Sequence, residues 1–463
     1  MLGRLPLVLA GVVLAGTAAG QPAAHLVDAA RDGDAAAVRS LLDAGVPPGT
    51  AQPDGATALH WAAHRDDLQV ADLLLGAGAD ANAANELGVV PLALACTNAG
   101  AAMVERLLAH GADPDRALPT GVTPLMSCAR TGSVDAVAPR LAHGARADER
   151  EAVRGQTALM WAVAERHAKV AAALLAAGAD AGARTGGGFT PLLFAAQQGD
   201  TASARLLLDA GAGIDETGGD GSTALLVATE SRHAGMVRFL IDAGADLDAI
   251  GTGRTALHAA VQNERPDIAR LLLAAGADPN VRLERGLPRV AGDLSVTSGP
   301  LTLIGATPFW LAAKFADLET MRLLADHGAD TTRTNAGGTT PLMVAAGIGW
   351  VDGSDRYGRV AFDGNTARRE RHDLGAVELA VALGGDPDAV NDHGQTAMHG
   401  AAYMGGDSIV RYLAEQGARV DVADNAGRTP LSIADGLYVG GTFVVRESTA
   451  ALLRQLGAGR GDQ

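Results

Sequence analysis

A glycine returns along this chain at intervals of 32 to 34 residues, at Gly55, Gly88, Gly121, Gly155, Gly188, Gly221, Gly253, Gly305, Gly338, Gly394 and Gly427. Two intervals are longer, 253 to 305 and 338 to 394, each adding roughly twenty residues to one period. The stretch Gly188 to Asp215, GFTPLLFAAQQGDTASARLLLDAGAGID, shows what one period contains. Thr190 can cap a helix with its hydroxyl, and Pro191 suits the first helical position, where a missing N–H is no loss. Leu192, Ala195 and Ala196 follow at helical spacing, and Gly199 stops the helix. Asp200 can cap a second helix with the apolar stripe Ala204, Leu207 and Leu208, which Gly211 ends in a left-handed turn. Two helices this short cannot bury their apolar faces against each other alone, so each period needs copies of itself on either side.

The residues after each marker make the pattern specific. They read TALHWAA from Thr57, TPLMSCA from Thr123, TALHAAV from Thr255, TPFWLAA from Thr307 and TAMHGAA from Thr396. The second helices end in LLLGAGAD, LLAAGAD, LLLAAGADPN and LLADHGAD. The period and this T-P-L-H-x-A signature resemble the ankyrin repeat family. That resemblance implies an all-α fold, a solenoid of about 12 helix-turn-helix units with short hairpin loops. The units fall near 24–54, 55–87, 88–120, 121–154, 155–187, 188–220, 221–252, 253–282, 305–337, 338–393, 394–426 and 427–460. Length alone suggests several domains, but a one-dimensional stack has no such limit, and one continuous array over 21–463 is expected.

Hydrophobic residues make up 48% of the chain and aromatics only 3%, so the core is one of Ala, Leu and Val, suited to closely stacked helices rather than a large pocket. A formal charge of −16 and a pI near 5.1 argue against nucleic acid or an anionic membrane surface as the main partner. Residues 1–20, MLGRLPLVLAGVVLAGTAAG, carry Arg4, an apolar run and a small-residue end, the pattern of a secretory signal peptide. The mature protein is then periplasmic or secreted, with no membrane span after signal removal; an uncleaved N-terminal anchor is the alternative. Cys96 and Cys128 lie in adjacent units, one residue out of register. An oxidising compartment would permit a bridge. Two buried small hydrophobes are expected instead, because equivalent sites in stacked repeats lie too far apart and the offset is expected to turn the side chains away from each other.

Departures from the repeat mark places of interest. Val90 stands where threonine caps the other helices, and Pro139 interrupts a second helix, VDAVAPRLAHG, which should be kinked or locally soft. Insertions are read at 283–304, 348–372 and 436–445. The second, placed between the two helices of its unit, holds Trp350, Tyr357 and Phe362, with Arg368, Arg369 and Arg371 after them; the third holds Tyr438 and Phe443. Long loops with aromatic content tend to make contacts.

No catalytic motif stands out. His60 and His64 are four apart but lack the glutamate of H-E-x-x-H, and His60, His258 and His399 occupy the signature's structural histidine position. Asp352, Asp355 and Asp363 fit no EF-hand spacing. The expectation is a non-enzyme without cofactor or metal. The family resemblance implies instead a groove, lined by first helices and hairpins, that binds another protein. Positions one, nine and ten after each marker place His64, Arg65, Arg130, Phe189, Gln197, Arg254, Lys314, Phe315, Tyr403 and Met404 on it, joined by the insertion residues Trp350, Tyr357, Phe362, Arg368 and Tyr438. A monomeric adaptor is the reading. The alternative is an enzyme or a small-ligand or metal site within 348–372, using Asp352, Asp355, Tyr357 and Arg368.

Overall fold

The computed structural model describes residues 22–285, 303–349, 366–439 and 442–459, excluding the side chains of 22–24, 366–373 and 437–443. The chain falls into two compact units, Met1–Asp180 and Ala181–Gln463. In the first, helices pair as α1 (Pro22–Asp32) with α2 (Ala35–Asp43), α3 (Ala58–Arg65) with α4 (Leu68–Gly76), and α5 (Pro91–Thr97) with α6 (Ala101–Ala109). Then come α7 (Pro124–Thr131) with α8 (Val134–Ala142) and α9 (Ala158–Ala164) with α10 (Ala168–Ala176). In the second unit, α11 (Pro191–Gln198) pairs with α12 (Thr201–Asp209), α13 (Ala224–Glu230) with α14 (Ala234–Asp242), and α15 (Ala256–Gln262) with α16 (Pro266–Ala274). These are followed by α17 (Pro308–Phe315) with α18 (Leu318–Asp326), and α19 (Pro341–Ala345) with α20 (Thr366–Ala382). Last are α21 (Ala397–Met404) with α22 (Asp407–Glu415), and α23 (Pro430–Asp435) with α24 (Glu447–Gln455). Within each unit first helices pack on first helices and second on second, giving an all-α repeat solenoid.

The caps act as the residues require. Thr190 and Thr223 accept the N–H of Leu193 and Leu226, and Asp200 and Asp317 accept that of Ser203 and Thr320. Gly199 is left-handed between α11 and α12, but Asp66, Ala99, Arg166, Arg232, Glu264 and Ala316 adopt the same positive φ at this corner in other repeats. These residues carry a Cβ penalty of about 1–2 kcal/mol that glycine avoids. At Gly188 two requirements meet: φ is +79°, and a Cβ would stand 2.6 Å from the backbone nitrogen of Gly219 in the next hairpin. The core is aliphatic, with Leu192, Leu193, Ala195, Ala196, Ala204 and Leu207 buried in the pair α11–α12.

Cys96 and Cys128 form a disulfide, which overturns the expectation of two separate thiols. Cys96 is the sixth residue of α5 and Cys128 the fifth of α7, and these helices are direct neighbours in the stack. The one-residue offset makes the side chains face one another across the helix contact, and the Cα atoms lie 4.5 Å apart, inside bridging range.

Around Pro139, α8 continues as a single helix; the proline leaves the carbonyl of Asp135, four residues earlier, without its usual N–H partner. The first insertion opens inside a hairpin turn. Leu283 N–H reaches the carbonyl of Ala306 across it, as Asn85 N–H reaches that of Val89 in a regular repeat. The second insertion is shorter than expected at its C-terminal end, because residues from Thr366 onward already belong to α20, a helix of 17 residues where most second helices have nine. The third insertion carries the strands β1 (Leu437–Val439) and β2 (Thr442–Val444), an antiparallel hairpin with Tyr438 opposite Phe443. Residues 1–21, and with them the whole leader segment 1–20, lie outside the described residues.

Candidate binding surface

In the first unit the expected groove positions cluster around two tryptophans. Trp61 and Trp161 occupy the same place in their repeats, six residues after the marker glycine, and both are half-buried. The indole N–H of Trp61 donates to Gln52 Oε1 at 3.3 Å, and its ring meets His64 edge-on at 6.0 Å. The indole N–H of Trp161 donates to Gln156 Oε1 at 3.1 Å, while the Arg130 guanidinium stands 5.1 Å from the ring centroid. These bonds fix each indole plane; Trp161 keeps a ring face against the Arg130 guanidinium, while Trp61 makes a T-shaped contact with the His64 ring. Counting one, nine and ten from the marker missed both tryptophans; one large aromatic at a shared repeat position was the available signal.

His64, Arg65 and Arg130 are exposed, and no carboxylate among the described residues forms an ion pair with Arg65 or Arg130. Asn98 at the same rim is engaged: its amide donates to the carbonyls of Ala63 and His64, tying α5 to α3. The largest exposed apolar side chains of this unit, Leu87 and Val153, stand on hairpin turns, 67% and 76% exposed.

The second unit disposes its candidates differently. Phe189 is half-buried and packs edge-on against Phe194, with ring centroids 5.0 Å apart. Gln197 is exposed, and its backbone carbonyl pairs with the His233 ring. Arg254 is occupied by Glu230 and Gln262, which hold its two terminal nitrogens, and its side chain is only 12% exposed. Lys314 lies 5.2 Å from the Phe315 ring. Tyr403 is half-buried, its carbonyl accepting from Arg446, and Met404 lies over Gly347, where a Cβ would collide with its side chain. Trp350, Tyr357 and Phe362 lie outside the described residues; Arg368 is in the first turn of α20 and Tyr438 on β1, with their side chains outside the description.

The signature histidines serve the stack. The backbone N–H of Thr57 donates to His60 Nδ1 at 3.0 Å, so the ring proton sits on Nε2 and donates to the Val89 carbonyl of the next repeat at 2.9 Å. His258 repeats this between Thr255 and Ala306, and His399 between Thr396 and Arg428. Trp310 fills the same place with its indole N–H, which donates to the Thr339 carbonyl at 2.8 Å. Burial lowers the pKa of all three histidines, and that of His258 falls to about 4, against the opposing pull of its bond to Ala306. They are neutral at pH 7 and unsuited to proton transfer there. Among the described residues no three His, Cys, Asp or Glu side chains are grouped to hold a metal ion. The acidic positions Asp352, Asp355 and Asp363 fall outside those residues.

Comparison with known proteins agrees with the repeat architecture. A sequence model of ankyrin repeats in three copies matches residues 26–117, 92–185, 192–282 and 366–436, and a single-repeat model matches 304–336. One curated relative is the transient receptor potential cation channel subfamily A member 1 homolog of Caenorhabditis elegans, 30% identical over 131 residues, 28% of this chain and 9% of that protein. Another is ankyrin repeat domain-containing protein 63 of Mus musculus, 32% identical over 115 residues, 21% of this chain and 30% of that protein. The matched stretches span less than a third of either relative.

Proposed function

Because the chain belongs to the ankyrin repeat family, we propose that it is a non-enzymatic scaffold or adaptor, exported from the cytoplasm, that holds a partner protein against the groove of its first helices and against its C-terminal insertions. The observation that carries the reading is the pair of half-buried tryptophans with exposed polar neighbours: Trp61 beside the His64 ring, and Trp161 under the Arg130 guanidinium. Aromatic and arginine side chains held rigid at a surface lose little freedom on binding and dominate interface energetics. Export is supported by the leader pattern of residues 1–20 and by the Cys96–Cys128 bridge, a bond that persists in oxidising compartments. Arg65 and Arg130 stand out in a chain of net charge −16, which favours a partner segment bearing carboxylates.

The test is affinity capture of the mature chain from its native cell fraction, run beside a Trp161→Ala, Arg130→Glu variant and a variant of the exposed α10 residue Ala176. The reading requires a protein retained by the wild type and the Ala176 variant and lost from the groove variant. Equal capture by all three would remove the groove from the account.

A further inference from the structure

We propose that Cys96–Cys128 is a thiol–disulfide exchange site, poised by Arg140 to be opened by an external dithiol, and that opening it loosens the two repeats it joins. Arg140, from α8, is fully buried. Its Nη1 donates to Cys96 Sγ at 2.8 Å and its Nη2 to the Pro114 carbonyl at 2.9 Å, while Nε is buried without a hydrogen-bond partner. No carboxylate among the described residues forms an ion pair with it; Asp115 is engaged by Arg146 at 3.0 Å. Burial lowers the Arg140 pKa to about 9, with Asp115 and Asp113 pulling the other way, so the group is a cation at neutral pH. A buried cation whose nearest partner is a neutral disulfide is poorly compensated.

Reduction supplies the missing charge. A reductant thiolate attacks Cys128 Sγ, the S–S bond breaks, and the electron pair leaves on Cys96 Sγ as a thiolate facing the Arg140 guanidinium. The second thiol of the reductant then attacks the mixed disulfide and closes its own disulfide. Cys128 departs and takes up one proton, and the other proton of the dithiol goes to solvent. A cation beside a cysteine favours the thiolate and makes it the better leaving group. Selective stabilisation of the reduced form raises the reduction potential, the opposite of a purely structural bridge.

The bridge is buried, so exchange requires local opening, and two of the surrounding helices, α5 and α8, lack supports that most of their counterparts have. Val90 gives α5 no side-chain cap, Ala99 follows α5 at φ +57°, and Pro139 immediately precedes Arg140 in α8. A missing cap and a missing backbone hydrogen bond each lower the free energy at which these helices open locally. Both departures from the repeat at Val90 and Pro139 thus meet at the one covalent staple of the stack.

The experiment equilibrates the full mature chain against graded glutathione or dithiothreitol redox buffers and reads thiol content by alkylation and mass. Arg140→Met keeps much of the side-chain volume and removes the charge. It should shift the midpoint toward more reducing conditions by at least tenfold in equilibrium constant, about 30 mV, while Arg140→Lys should retain most of the wild-type value. Rapid acid trapping of the glutathione intermediate should find glutathione on Cys128, a readout that needs only the wild type. Hydrogen exchange after reduction should rise across α5–α8 and stay unchanged in α3. A Met variant within twofold of wild type, or glutathione trapped on Cys96, would overturn the proposal; so would a bridge that resists reduction until the whole unit unfolds.

Discussion

Lowering the pH from 7 to 5 should weaken the repeat that contains His258 by an amount its surroundings fix. The ring is neutral in the fold, with Nδ1 accepting from Thr255 and Nε2 donating to the Ala306 carbonyl. Its folded pKa is about 4 against an ordinary 6.5. A lowered folded pKa means that the open state binds the proton first. Stability is therefore complete above pH 6.5, falls as pH drops through 6.5 toward 4, and levels off below, where both states are protonated. Integrating over the shift gives a loss of about 2 kcal/mol at pH 5 and about 3 kcal/mol once the fall is complete. Met occupies the equivalent position at Met126, Met160 and Met343, so His258→Met can be accommodated. It should cost about 1 kcal/mol at pH 7 through the lost hydrogen bond, yet be immune to this titration. The two curves should cross, with the wild type more stable at pH 7 and the variant at pH 5. Hydrogen exchange by mass spectrometry over α15–α17, corrected for intrinsic rates, reads the local free energy in each case. Parallel curves for the two proteins would refute the account of a neutral, inter-repeat histidine.

Other perturbations have directions set by single contacts. Arg166 is exposed at positive φ between α9 and α10, and Arg166→Gly should stabilise the first unit by about 0.5–1 kcal/mol in chemical denaturation. Replacing both Cys96 and Cys128 by Ala opens a loop spanning 32 residues, and protection from exchange in α5–α8 should fall by roughly 3–4 kcal/mol in the chain-entropy treatment. Asp200→Ala removes the acceptor for the Ser203 N–H and hydroxyl and should cost about 1–2 kcal/mol, seen as faster exchange at the start of α12.

Much of the fold could be read from residues whose chemistry acts locally. Thr190, Pro191, Gly199 and Asp200 marked the ends of α11 and α12, because caps and left-handed turns depend on neighbours three or four residues away. The histidine at the signature position could be assigned to the stack for the same reason, since its capping bonds repeat with the period. What escaped the sequence depends on distance between repeats or on the absence of a local signal. The bridge between Cys96 and Cys128 turns on which way two side chains point across a helix contact, and a one-residue offset decides that in a manner periodicity does not express. Nothing in the sequence marks Arg140, and only the packing of α8 on α6 and the placement of Cys96 show it buried. The corners at Ala99, Arg166 and Arg232 carry no glycine to announce their left-handed backbone. The first turns of α20, TARRERHD from Thr366, carry no apolar stripe to mark them as helix. At the binding surface the residues nine and ten beyond the markers led to Arg130 and His64, but the tryptophans they touch sit elsewhere in the period.

The central claim is that a partner protein lies in the groove of the first helices. It is tested most directly by placing a photo-activated cross-linking side chain at Thr97, an exposed residue on that rim, and separately at Ala176 on α10, then irradiating the mature chain in its native compartment. The account predicts one defined protein adduct from position 97 and none from position 176. An adduct formed equally at both positions, or at 176 alone, would contradict it.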